Sequence, residues 1–179
     1  QISNVQSKFG GSSVYFDGSG DYLRIPVSDV MGFGSGDYTV EAWVYGNWPS
    51  YSTIFDNRTG GSQGVGFYTG QSNRITVANN SAVIIETGSI PVNTWTHVAI
   101  SRQSNVLRAF INGVKIGEVT DSRVYGTSAE AYIGANEGLF QTFAGYMDDL
   151  RVTKGVARYN SNFTPTTTEF PTSGNILTY

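Results

Sequence analysis

Apolar and polar residues alternate with a period of two through much of this chain, and no helical periodicity is sustained beyond two turns. The clearest stretch covers residues 94–119, where Thr96, Val98 and Ile100 alternate with Trp95, His97, Ala99 and Ser101. Successive side chains of a pleated strand point to opposite faces, so this pattern predicts a strand with one buried face. Asn112-Gly113 then separates two apolar runs, 107–111 and 114–119. Asn-Gly tolerates the positive φ angles of a type I′ turn, and a hairpin is the expected result. Residues 102–105 are polar and few enough for a second tight connection, which makes three consecutive antiparallel strands.

The pattern extends in both directions. Residues 13–16 and 22–26 read as strands joined by Asp17-Gly18-Ser19-Gly20-Asp21. Residues 38–45 form another, with Val40, Ala42 and Val44 on one face and Thr39, Glu41, Trp43 and Tyr45 on the other. Short runs at 53–56, 65–69, 74–78 and 83–87, each bounded by Gly, Asn or Ser, suit the hairpin strands of one sheet. Residues 131–134 and 144–152 complete the set, and one helical turn is expected around Val30-Met31. Gly32, Gly34 and Gly36 form no phosphate cradle, because a strand and not a helix follows them.

The expected fold class is therefore all-β, an antiparallel two-sheet β-sandwich of the jelly-roll type. Phe16, Ala42, Val44, Val98, Ile100, Leu150 and Val152 belong to its core. Residues 1–11 read as a lead-in segment, 12–160 as the sandwich, and the Thr- and Pro-rich 161–179 as a C-terminal strap and linker.

At 179 residues the chain suits one domain, and a chain of that length buries roughly 70% of its unfolded surface without staples. It has no cysteine, which excludes disulfides, thiolate catalysis and Cys-based zinc sites. Charged residues are 14% of the chain, net charge is −3, and no run of Lys or Arg exists. A nucleic-acid partner is disfavoured, and no apolar stretch approaches the ~20 residues of a membrane span. The start at Gln1 in place of Met sets the expectation of a segment cut from a longer polypeptide.

His97 is the single histidine and is expected to pack in the core with a hydrogen bond. With no second His, no Cys and no Ser on a nucleophile elbow, neither a zinc site nor a Ser-His triad assembles. Sugar binding needs less: flat apolar rings beside amide, carboxylate and hydroxyl groups. Trp48 and Tyr51, which flank Pro49, with Asp56, Asn57 and Arg58 close by in sequence, have that character and are the expected ligand-binding residues. Phe140 and Phe143 flank Gln141-Thr142 in a second candidate loop. Asn-x-Ser/Thr sequons occur at Asn57, Asn79 and Asn162 and would mark surface loops in a eukaryotic secreted chain.

Trp95-Thr96-His97-Val98-Ala99, a strand, Asn112-Gly113 and a further strand together resemble the core of laminin G-like domains of the concanavalin A-like lectin/glucanase superfamily. Tyr15-Phe16-Asp17-Gly18 with Asp21-Tyr22-Leu23, the strand Tyr38-Thr39-Val40-Glu41-Ala42-Trp43-Val44, and Gly145-Tyr146-Met147-Asp148-Asp149-Leu150-Arg151-Val152 agree with it in order and spacing. The resemblance implies a helical turn over 155–159 and a structural Ca²⁺ held by Asp17, Asp21 and Asp148. Calcium takes six to eight oxygens at about 2.3–2.6 Å. Alternation puts Asp148 on the inward face with Leu150 and Val152. The competing reading has Asp17 capping a turn and Asp148 taken by an Arg or by backbone amides.

Related glycoside hydrolases carry a Glu-x-Asp-x-x-Glu strand, which is absent here: Glu41, Glu86, Glu118, Glu130 and Glu137 lack partners at that spacing. The resemblance thus implies a non-catalytic recognition module of a larger extracellular, cell-surface or virion protein, with a surface glycan or glycoprotein as partner. Fold alone does not fix function. Two alternatives stay open: a structural module of a phage virion that contacts other subunits or domains, and a glycosidase with two carboxylates about 5–9 Å apart in one cleft.

Overall fold

The alternating runs become short antiparallel strands in a computed structural model that describes residues 1–58, 63–80, 82–171 and the backbone of 177–178. In chain order they are β1 (Ile2–Ser3), β2 (Ser13–Asp17), β3 (Leu23–Ser28), β4 (Tyr38–Gly46), β5 (Ser52–Asp56), β6 (Gly66–Thr69) and β7 (Ile75–Ala78). β8 (Val83–Thr87), β9 (Thr96–Gln103), β10 (Val106–Ile111), β11 (Val114–Thr120), β12 (Ala129–Ile133), β13 (Ala144–Lys154) and β14 (Leu177–Thr178) follow. The larger sheet runs β1-β2-β13-β4-β9-β10-β11, with β14 paired to β13; the smaller runs β3-β12-β5-β6-β7-β8. The two pack face to face as a β-sandwich.

Turn chemistry sets the register of the central hairpins. Asn112 and Gly113 have φ of 48° and 77°, and Ser104 and Asn105 have 49° and 66°. Both connections therefore take the left-handed conformations that match strand twist, and β9, β10 and β11 pair in sequence. Every expected core residue lies in the buried cluster between the sheets: Phe16, Ala42, Val44, Val98, Ile100, Leu150 and Val152. Neither expected helical turn forms. Asp29 to Gly32 is a turn closed by a hydrogen bond from Gly32 N to Asp29 O at 3.3 Å, and 155–159 is irregular. The helical element that does form among the described residues is a short 3₁₀ turn, Gln71–Asn73.

β13 departs from simple alternation. Tyr146 and Met147 oppose Tyr45 and Val44, but a bulge between Asp148 and Arg151 shifts the register, with Asp149 at a φ of 53°. Met147 and Leu150 both reach the core, so Asp148 falls on the outer face opposite Trp43. The inward placement expected for Asp148 is overturned by that extra residue.

The outer face of the larger sheet is closed by the chain itself. Residues 156–171 cross it, Tyr159 and Phe163 stack at 3.6 Å, and Phe170 lies 3.7 Å from the Arg151 guanidinium. Beneath them Glu41 is fully buried. It accepts hydrogen bonds from Arg151 Nε at 2.8 Å and Tyr159 Oη at 2.7 Å, and His97 Nε2 lies 3.1 Å from it. Burial pushes the Glu41 pKa up, yet the His97 hydrogen bond and the Arg151 charge outweigh it and leave it below the usual carboxylate range. Strand β4 is consequently buried on both faces. Residues 172–176 and 179 of the expected linker lie outside the described residues.

Candidate functional site

The outer face of the smaller sheet carries a different polar arrangement. In β5, β6 and β7 the residues Phe55, Phe67 and Val77 point into the core. Their alternates Tyr68 and Thr76 sit opposite one another on the outer side, and Asp56 opposes Gly66. Gly66 has no side chain because the Tyr68 ring occupies the space where a Cβ would stand. The Tyr68 hydroxyl can then donate to Asp56 Oδ2 at 2.5 Å.

Arg58 completes the cluster from the end of β5. Its Nη2 donates to Asp56 Oδ2 at 2.6 Å, its Nε to Oδ1 at 3.1 Å, and its Nη1 to the carbonyl of Asn79 at 3.1 Å. The guanidinium carbon lies 5.0 Å from the centre of the Tyr68 ring. Asp56 is only 1% exposed. Burial pushes its pKa up to about 6 against the pull of Arg58, and Glu137 across the cavity adds to the rise.

A loop over 134–143 forms the opposite wall. It is held by Thr53 N donating to Gln141 O at 2.7 Å, Phe143 N to Gly134 O at 2.8 Å, and Thr142 Oγ1 to Gly18 O at 2.5 Å. Between this loop and the sheet lie three adjoining chambers. One of about 570 Å³ is bordered by Asn47, Tyr51 and Gln141, a second of about 270 Å³ by Tyr51, Arg58, Thr76 and Gln141, and a third of about 230 Å³ by Asp56, Arg58, Asn136 and Glu137. The Thr76 hydroxyl is buried, borders the second chamber and has no hydrogen-bond partner among the described residues. That hydroxyl packs in the space a Cβ on Gly70 would take, so Thr76 shapes the chamber while Tyr51, Arg58 and Gln141 border it with an aromatic ring, a guanidinium and an amide.

The expected ligand-binding residues separate into two groups. Tyr51, Asp56 and Arg58 all border this groove. Trp48 does not: it is 1% exposed, its ring packs on Phe143 at 5.2 Å, and its indole N–H donates to Ala144 O at 2.8 Å. Gly46 makes that possible, since a Cβ there would lie 2.7 Å from the indole. The expectation of Trp48 as an open stacking ring is therefore corrected. Asn57 is also buried and structural, its Nδ2 donating to Met31 O and its Oδ1 accepting from Val65 N, each at 2.7 Å. Sequence reasoning missed Tyr68 and Thr76, whereas Gln141 lies in the second candidate loop and borders the groove. Alternation along β6 and β7 was the available signal for the first two.

The three carboxylates expected to hold calcium do not converge. Asp17 Oδ1 accepts from Ser19 N at 2.7 Å, and Asp21 Oδ2 accepts from Asp17 N at 3.1 Å, so both serve their own turn. Asp148, moved outward by the bulge, takes the amides of Lys8 and Phe9 at 2.8 and 3.1 Å. Among the described residues no group of three or more His, Asp or Glu side chains could hold a metal ion. The residues expected for the site do not fit a shared cation. No helix among the described residues is long and apolar enough to cross a membrane.

A laminin G-type family model, described as the concanavalin A-like lectin/glucanases superfamily, matches residues 17–158. No curated protein matches the chain. Among solved structures, domain 4 of the extracellular arabinanase AbnA from Geobacillus stearothermophilus, in complex with arabinotriose, is similar at a TM-score of 0.70 and 22% identity over 88% of this chain and 77% of that one. Domains LG4-5 of the mouse laminin α1 chain are similar at 0.63 and 15% identity over 89% of this chain and 48% of theirs. The CBM40 of the Ruminococcus gnavus IT-sialidase, bound to α2,3-sialyllactose, is similar at 0.58 and 11% identity over 76% and 94%.

Proposed function

The chain belongs to the concanavalin A-like lectin/glucanases superfamily, and from that premise we propose that it is a non-catalytic glycan-recognition module of a larger, extracellular protein. The groove on the outer face of the smaller sheet is its binding site. The observation that carries this reading is the convergence of Tyr51, Arg58 and Gln141 on one groove, with Tyr51 and Gln141 shared by two of its chambers. A ring, a guanidinium and an amide bordering one cleft supply the apolar contact and the hydrogen bonds that sugars take. Relatives of the same fold include domains solved with arabinotriose and with sialyllactose.

Asp56 serves as a wall and not as a general acid in this reading. Arg58 donates to both of its oxygens and Tyr68 to one, so neither is presented bare to a ligand. The test is a glycan array probed with the wild type and with Tyr51→Ala and Gln141→Ala, two side chains that border the groove without filling the core. Saturable binding by the wild type that both variants weaken at least tenfold is expected. Binding that survives both substitutions, or none at all, would overturn the proposal.

A further inference from the structure

If glycan binding is the function, the dimensions and charge of the groove narrow its ligand. Tyr51 and Gln141 border both the first and second chambers and Arg58 both the second and third, so the three form one run. A pocket for a single small molecule occupies roughly 300–1,000 Å³. The first chamber, at about 570 Å³, reaches that range by itself, and two more continue beyond it.

The charges along this run oppose an anionic ligand. Among the described residues Arg58 is the only cationic side chain bordering the three chambers, and the third sets Asp56 and Glu137 beside it. The Arg58 charge is already met by both oxygens of Asp56. Of the five N–H donors of a guanidinium, the Asp56 and Asn79 bonds occupy Nε, one on Nη1 and one on Nη2. Among the described residues two remain for neutral acceptors such as sugar hydroxyls. A ligand carboxylate would have to compete with Asp56 for the same fork while facing its negative charge.

Next to Gly138, which borders the third chamber, stands an apolar ring. Phe140 is 72% exposed, yet its loop is tightly determined: Phe140 N donates to Asn136 Oδ1 at 2.8 Å, Asn136 N to Phe140 O at 3.2 Å, and Leu139 N to Asn136 O at 2.9 Å. Leu139 and Gln141 on either side both adopt positive φ, 57° and 54°. Bulky residues take that conformation only where surrounding bonds impose it. An exposed ring is thus carried on a fixed backbone next to the third chamber, with Tyr51 at the junction of the first and second.

We propose that the run takes an uncharged oligosaccharide of two or more sugar units. Tyr51 and Phe140 contact the apolar faces of different units, and Arg58 and Gln141 bond the hydroxyls between them. The test is an array carrying neutral oligosaccharides graded from one to six units beside uronate-, sialic acid- and sulfate-bearing ones, with titration of the best binder by the wild type and Phe140→Ala. Affinity is expected to tighten at least tenfold from one unit to three within a neutral series and to change less than twofold between low and moderate salt. Phe140→Ala should weaken the trisaccharide severalfold at an unchanged melting midpoint. A monosaccharide bound as tightly as the trisaccharide, preference for charged glycans with salt-sensitive affinity, or indifference to Phe140→Ala overturns this inference and leaves glycan binding standing. Silence across the whole array overturns both.

Discussion

The two outer faces of this sandwich carry the same trio in opposite circumstances. On the larger sheet Glu41 is held by Arg151 and Tyr159, and on the smaller sheet Asp56 is held by Arg58 and Tyr68. The first trio lies beneath the chain's own aromatic strap, with His97 as a fourth member. The second borders the groove through Arg58 and Asp56, beside a second carboxylate. Their acid strengths diverge accordingly, Glu41 below the usual range and Asp56 up to about 6. One arrangement locks a terminal segment in place; the other stiffens the wall of a site.

The largest effect expected from breaking this comparison is on the sealed side. Replacing Arg151 by Met takes from buried Glu41 its hydrogen-bonded guanidinium and leaves Arg158, 3.9 Å away, as the remaining arginine; removing one partner of a buried pair costs about 3–5 kcal/mol. Urea unfolding of Arg151→Met should show that loss, and a change below about 1 kcal/mol, the range of exposed pairs, would mean that the strap does not seal the trio. The open side should respond in binding. Tyr51→Ala is expected to cost at least tenfold in glycan affinity, equivalent to about 1.4 kcal/mol, with stability nearly unchanged.

The pH dependences have opposite signs. Asp56 has a folded pKa of about 6 against 3.8 for the free group, so the folded state binds its proton more tightly. Its contribution to stability is complete below pH 3.8 and is lost as pH rises through about 6. Glu41 is lowered from 4.5, so its contribution is present above that value and is lost as pH falls through its folded pKa. Unfolding free energy measured from pH 3 to 7 should therefore show Asp56→Asn flattening the decline between about pH 4 and 6, and Glu41→Gln flattening the fall on the acid side. The smallest effect concerns calcium. Asp17, Asp21 and Asp148 are each committed to backbone amides, and the melting midpoint should be the same with excess Ca²⁺ and with chelator. A ligand of the native state at saturation must raise it, so a clear rise would return a cation to the molecule.

Much of the frame was legible in the sequence because strand alternation and Asn-Gly turns are local signals. Strand β4, the β9-β10-β11 meander and the core residues on them follow directly from it. What escaped depends on contacts distant in sequence. Nothing near Trp48 announces that its indole N–H will meet the carbonyl of Ala144, and nothing near Asp148 announces a bulge one residue later. Asp56 and Arg58 were visible as residue types, but their neighbours Thr76 and Gln141 enter from another strand and another loop. The strap was visible only as a Thr- and Pro-rich segment, and its role came from Tyr159, Phe163 and Phe170 meeting His97 across the sheet.

The most direct test of the claim that the smaller sheet's outer face is the binding face is an amide NMR titration with the neutral oligosaccharide bound most tightly on the array. Shifts confined to Tyr51, Arg58, Tyr68, Thr76 and the 136–142 loop, with Glu41, His97 and Tyr159 unmoved, are predicted. Shifts centred on the larger sheet and its strap, with the groove silent, would contradict it.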